Sequence, residues 1–160
     1  MSELRLELEG SQIEPYLSAY LMGGFRDDVP RIERVTLDGK QAVAHARLTS
    51  FYVSENDNRF HLSMVTGTLL ITQAGLIHGL AIANREKKGL EVYMSDFSIS
   101  LTRQLVKPEL VKISLDLINK IVVPPSGQRR HPRTFYRWRF SIDDDVGTAW
   151  SGLITLVFPF

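Results

Sequence analysis

The chain of 160 residues contains no cysteine, which excludes disulfides, thiolate nucleophiles, iron–sulfur clusters and cysteine-type zinc sites. It also lacks a net field: 19 Lys+Arg against 18 Asp+Glu leave +1, too little to grip a nucleic-acid backbone. Eleven glycines and seven prolines are near average abundance, which excludes collagen-like and low-complexity chains. No internal repeat, P-loop, dinucleotide fingerprint or Gly-x-Ser-x-Gly elbow occurs. Asp143-Asp144-Asp145 lacks the ligand spacing of a calcium loop, so no metal and no resident cofactor are expected. Charged residues interrupt the apolar ones in MSELRLE at the start, a pattern that predicts no signal peptide and a cytoplasmic location.

What is present is 44% apolar, enough for one domain over residues 1–160 with a single core. The most informative stretch is residues 62–84, LSMVTGTLLITQAGLIHGLAIAN, which carries no Asp, Glu, Lys or Arg. Its length alone suits a membrane span. Six polar side chains (Ser63, Thr66, Thr68, Thr72, Gln73 and His78) and the lack of a flanking Trp or Tyr belt argue against one. A helix apolar nearly all round in a strand-rich chain is expected to be a central helix buried on all sides.

Around it the periodicity is two. Residues 134–142, TFYRWRFSI, place Tyr136, Trp138, Phe140 and Ile142 on one face and Phe135, Arg137, Arg139 and Ser141 on the other, a half-buried antiparallel strand. Residues 148–158 return as its hairpin partner across the Asp143–Gly147 turn. Residues 92–101 and 111–118 alternate likewise, separated by Lys107-Pro108. Residues 31–37 and 41–53 form a hairpin across Asp38-Gly39-Lys40. Residues 13–21 suit a short helix capped by Ser11, and residues 4–8 either an edge strand or a frayed arm. The order of short helix, hairpin, long helix and four strands predicts an α+β hotdog fold: one curved antiparallel sheet wrapped around one helix. An exposed sheet edge then predicts a homodimer or higher homo-oligomer.

His61 and the following residues to Ala74, HLSMVTGTLLITQA, resemble the active-site segment of hotdog acyl-thioester enzymes. In the dehydratases of fatty-acid synthesis a His-containing loop leads into a Pro-Gly-Val-Leu-aliphatic-aliphatic-Glu helix. Gly67-Thr68-Leu69-Leu70-Ile71 resembles that run, and Thr72 stands where the glutamate would be. The chain resembles more closely the FcoT-like long-chain fatty-acyl thioesterases. The patches that carry this are Ile13-Glu14-Pro15-Tyr16, His61 with Gln73, Val106-Lys107-Pro108, Arg133-Thr134 and residues 147–152, GTAWSG, in that order. That family also lacks the helix carboxylate and relies on Tyr and Asn groups. The resemblance implies a pocket tyrosine at Tyr16, with the pocket asparagines replaced by Ser63 and Thr72. The loop tyrosine falls near Tyr52 or on Glu55.

Thioester hydrolysis needs an activated water and donors for the developing oxyanion. His61, just ahead of the helix, suits the base, because histidine is the side-chain type that changes charge near neutral pH; a loop histidine that only caps or packs is the alternative. Ser63 and Thr66 either line a pocket or cap the helix. Gly67 leaves room for a substrate to approach, and Gln73 bonds either a backbone group or a substrate carbonyl. Thr68, Thr72, Gly75 and Gly79 share a sector that either faces a pocket or packs closely on the sheet. His78 is expected to be a satisfied core histidine. The loop before His61, with Asn58, either orients a group or simply turns. Residues 127–139, GQRRHPRTFYRWR, hold five arginines and no acid. Arg129, Arg130 and Arg133 suit the phosphates of coenzyme A or an acidic acyl carrier protein, whereas Arg137 and Arg139 fit the outer face of a strand. The expected catalytic set is His61, Tyr16, Ser63 and Thr72; Thr66, Gly67, Gln73, Tyr52, Asn58, Arg129, Arg130 and Arg133 are the expected substrate contacts. The activity these imply is acyl-thioester hydrolysis. The alternatives are a related dehydratase or isomerase and a non-catalytic acyl-binding protein, in each case without a nucleic-acid or membrane partner.

Overall fold

A computed structural model describes residues 28–54, 56–85, 91–127 and 131–160. The expected elements at residues 4–8 and 13–21, with Ser11 and Tyr16, lie outside the described residues, as do Glu55, Arg129 and Arg130. The chain forms β1 (Pro30–Asp38), β2 (Gln41–Leu48), α1 (Met64–Ile82), β3 (Tyr93–Leu101), β4 (Val111–Val123), β5 (Arg133–Asp144) and β6 (Gly147–Phe158). The strands make one sheet in the order β1-β2-β4-β5-β6-β3, every neighbouring pair antiparallel.

The alternation in β5 works as its sequence implies. Tyr136, Trp138, Phe140 and Ile142 are buried, while Arg137 and Arg139 stand exposed beside Asp96 and Asp116 at 3.8 and 3.9 Å. Two strands differ from expectation. β2 ends at Leu48, and Val53 makes only an isolated bridge to Phe60, because the chain must turn there to reach the helix. β4 continues past residue 118 to Val123 through a bulge between Leu117 and Asn119. Beyond it Ile121 and Val122 lie exposed.

The central helix is shorter than the apolar run. Ser63 is its N-cap, extended at φ −70° and ψ 150°, and accepts a hydrogen bond from the Thr66 amide. Asn84 just past the other end takes φ +52°, a left-handed conformation that asparagine tolerates. The helix is not enclosed on all sides. Its inner face (Thr66, Leu70, Ile71, Ala74, Gly75 and His78) is buried. Met64, Val65 and Leu69 on the opposite flank are 43%, 48% and 51% exposed. A single sheet covers only one face of a cylinder, so among the described residues this apolar flank is left without a covering layer.

Three glycines set how close the helix lies. A β-carbon at Gly67 would sit 1.9 Å from the Trp150 indole, one at Gly75 3.0 Å from Leu156, and one at Gly79 2.4 Å from the Phe158 ring. These contacts run α1 along β6, with its amino end over Trp150 and its carboxyl end over Phe158. His78 is a structural residue: its Nε2 lies 3.1 Å from the Gly39 carbonyl, and the Trp138 indole N–H donates to its Nδ1 at 3.1 Å. A carbonyl only accepts and an indole N–H only donates, so the ring carries its proton on Nε2.

Gly67→Ala should lower unfolding free energy by about 1–3 kcal/mol in urea titration, the cost of overpacking against a rigid ring. Alanine's helix-propensity advantage of about 1 kcal/mol works in the other direction. Unchanged or greater stability would contradict the close contact.

Candidate active site

The segment between β2 and α1 is a tight loop. Phe60 is buried and meets Phe51 edge-on at 4.9 Å. The Ser54 amide donates to the Arg59 carbonyl at 2.9 Å and the Asn58 amide to the Ser54 carbonyl at 2.8 Å. Asn58 takes φ +53° and is exposed, so its residue type answers to the turn. The loop aims Asp57 at His61: Oδ2 lies 2.7 Å from Nε2, while the Arg59 amide donates to Oδ1 at 3.1 Å. Partial burial raises the Asp57 carboxyl, but the hydrogen bond from His61 and that from the Arg59 amide outweigh it and leave it below the usual carboxylate range. An ionised carboxylate only accepts. In the neutral imidazole, Nε2 therefore carries the proton and Nδ1 keeps a free lone pair, the state a general base requires.

A second chain of hydrogen bonds begins one residue inward. The Ser63 hydroxyl donates to Thr66 Oγ1 at 2.8 Å, and the Thr66 hydroxyl donates to Asp28 Oδ2 at 2.7 Å. The other Asp28 oxygen accepts from the Tyr52 amide at 2.8 Å. Ser63 and Thr66 are 5% and 2% exposed. Thus capping and polar clustering are one arrangement here. The Thr66 and Gly67 amides are taken by Ser63, through its side chain at 3.1 Å and its carbonyl at 2.9 Å. Helix geometry leaves the amides of Met64 and Val65, the first two of α1, without an intrahelical acceptor.

Beside this lies a cleft of about 410 Å³ between His61, Ser63 and Met64 on one side and Leu101, Thr102 and Arg103 on the other, with Trp150 also in its wall. A larger depression of about 570 Å³ crosses Glu33, His45, Arg47 and Lys112. It mixes charges of both signs and holds none of the paired groups just described, so the smaller cleft is the better candidate. Among the described residues no cluster of three or more His, Asp or Glu suits a metal ion.

A thioesterase from Pseudomonas aeruginosa matches this backbone with a TM-score of 0.54 at 14% identity, covering 82% of each chain. A thioesterase from Haemophilus influenzae matches with 0.53 at 13% identity, over 96% of this chain and 93% of the other. One from Staphylococcus aureus gives 0.54 at 13%, over 81% and 93%. The fold is a hotdog. No family model and no curated protein sequence matches the chain.

The hotdog frame gathers some of the expected residues and separates others. His61, Ser63 and Thr66 meet at the amino end of α1, with the Tyr52 backbone tied in through Asp28. Gly67 offers no room to a substrate, because the Trp150 indole fills the space over it. Thr72 is half-buried and its hydroxyl donates to the Thr68 carbonyl at 2.8 Å. Gln73 is exposed, so burial places no demand on its amide. Arg133 opens β5 opposite Val123, with its guanidinium 5.6 Å from the Tyr93 ring. Tyr93 pairs with Val157, while the cleft's Leu101 pairs with Trp150 at the far end of the same two strands. Arg133 therefore lies at the opposite end of the sheet from the cleft. Asp28 and Arg103 carry no motif, and only the folded chain brings them here.

Arg103 holds the rim together. Its guanidinium donates to Asp144 Oδ2 at 3.0 Å and to the Gln104 carbonyl at 3.0 Å, and also meets Asp144 Oδ1 and the Gly147 carbonyl. The hydrogen bond from Arg103 is the main reason the Asp144 carboxyl lies below its ordinary value of 3.8. A carboxyl with a depressed folded pKa contributes stability that is present above the unfolded pKa and lost as pH falls through the folded one. Arg103→Met should therefore melt below the wild type at pH 7, with the gap closing below about pH 3.8. A gap independent of pH would contradict the pairing.

Proposed function

We propose that the protein is an acyl-thioester hydrolase acting on fatty acyl-CoA or acyl carrier protein thioesters. The observation that carries this reading is the oriented pair Asp57–His61, with Nε2 held at 2.7 Å, beside a cleft at the amino end of the central helix. That fold is shared with solved thioesterases. Water bound in the cleft attacks the thioester carbonyl carbon while His61 Nδ1 takes its proton. The carbonyl oxygen, becoming anionic, turns toward the Met64 and Val65 amides and the positive end of the helix dipole. The C–S bond then breaks with its electron pair on sulfur, and the imidazolium returns the proton to the departing thiolate. Coenzyme A or phosphopantetheine enters with the substrate, and the chemistry uses no other group. The FcoT-like resemblance supports a long acyl chain. It also suits an active site without a helix carboxylate, since Thr72 occupies that position.

The exposed apolar flank of α1 and β3, an edge strand among the described residues in which Tyr93, Met94 and Leu101 are all more than two-fifths exposed, support a homodimer. Burying them against a second copy removes apolar area from water and caps an edge strand. Leu69→Glu should shift the protein to monomer in sedimentation velocity. A monomeric wild type would contradict the assembly.

Thiol release from dodecanoyl-CoA and from a dodecanoyl carrier protein tests the activity. His61→Ala should lower kcat by about 10²–10⁴-fold, the usual contribution of a general base, with the melting temperature held. Full activity in that variant would remove His61 from the mechanism. A histidine base without a helix carboxylate also suits hydration of an enoyl thioester. Loss of enoyl absorbance without thiol release would favour that second reading, and tight acyl-thioester binding with neither reaction would make the protein a carrier.

A further inference from the structure

We infer that Asp28 is a positioning residue: its carboxylate fixes the direction of the Ser63–Thr66 hydroxyl chain so that Ser63 faces the cleft as a hydrogen-bond acceptor and orients the attacking water. This rests on the hydrolase reading above and deepens it.

The direction follows from counting protons. The ionised Asp28 side chain has acceptors only. Oδ1 takes the Tyr52 N–H at 2.8 Å and Oδ2 the Thr66 O–H at 2.7 Å. Thr66 thereby commits its single hydroxyl proton and offers its oxygen to the Ser63 O–H, 2.8 Å away. Ser63 in turn commits its only proton inward. Its oxygen takes the Thr66 amide at 3.1 Å, which uses one of two lone pairs. One lone pair remains, and Ser63 is in the cleft wall beside His61. Ser63 therefore has no proton for a thioester carbonyl. It has an acceptor site for a water. A water that gives one hydrogen to Ser63 Oγ and the other to His61 Nδ1 keeps a lone pair for the carbonyl carbon, and the oxyanion falls to the backbone amides.

The same count predicts what an amide does. Asparagine at position 28 has one acceptor oxygen for two donors. If the Tyr52 amide keeps that oxygen, the new NH2 group faces Thr66 Oγ1. The Thr66 hydroxyl must then turn to Ser63, whose own proton is released into the cleft. One isosteric change thus converts Ser63 from acceptor to donor and removes the water's anchor. Thr66→Val breaks the chain at its middle, whereas Thr66→Ser preserves it.

The test is steady-state thiol release by the full chain with dodecanoyl-CoA, with melting temperature followed in parallel. Asp28→Asn and Thr66→Val should each lower kcat by about 10²-fold, in the range expected for loss of a positioned catalytic contact. KM should stay within about threefold, and Thr66→Ser should recover most of the rate. An active wild type whose Asp28→Asn and Thr66→Val variants keep its kcat would overturn the inference and leave the hydrolase reading intact. So would equal losses in the Val and Ser variants, which would mark a packing effect. A wild type silent on both CoA and carrier thioesters would overturn the hydrolase reading instead. The hydroxyl order is then read directly by NMR. A slowly exchanging, downfield Thr66 hydroxyl proton, lost in Asp28→Asn, supports it, and its absence from the wild type overturns it.

Discussion

The contact of three helix glycines with Trp150, Leu156 and Phe158 is the constraint on which the rest depends. Glycine inside a helix costs about 1 kcal/mol relative to alanine, so three in one stripe are kept only where close approach returns more. Here the return is dispersion and buried area against three large side chains of β6. The contact also fixes a direction. It lays the helix along one strand with its amino end over Trp150, where the cleft opens, and thereby decides which side chains share the site.

Several polar groups at that end then serve two purposes. Ser63 caps the helix and supplies a wall of the cleft. Asp28 joins the chain entering β1, the backbone after β2 and the first turn of α1 through two short hydrogen bonds, and places a negative charge near the positive end of the helix dipole. Asp57 both closes its loop and fixes the tautomer of His61. The Arg103–Asp144 pair ties the chain after β3 to the β5–β6 turn beside the cleft. Such networks retain buried polar groups by satisfying them. Among the described residues no buried side-chain nitrogen or oxygen lacks a partner.

The sheet was legible because its signals are local. Alternation in residues 134–142 reports one face directly, and Asp38-Gly39-Lys40 names its turn, with Gly39 at φ +54°. The helix was legible by its lack of charge, but that lack was read as complete burial. Composition cannot distinguish a flank covered by its own sheet from one that the sheet leaves exposed, because both carry the same residues. The site was half legible. His61, Ser63 and Thr66 lie within one turn of a helix start and form a sequence pattern, whereas the polar loop ahead of His61 read equally as an orienting group or a simple turn. Asp28 precedes Thr66 by 38 residues and follows no motif, so pairing across the fold alone brings it to the helix. Gly67 shows the converse: its missing side chain admits an indole, and sequence could not say whether the guest would be a ligand or the protein itself.

The central claim is that an acyl thioester places its carbonyl at the amino end of α1. A crystal structure with a ketone analogue of dodecanoyl-CoA, in which a methylene replaces the thioester sulfur, tests it most directly. The account predicts the carbonyl oxygen within hydrogen-bonding distance of the Met64 or Val65 amide, with His61 on the attacking side. An analogue bound with its carbonyl elsewhere on the molecule, or failing to bind at all, would contradict it.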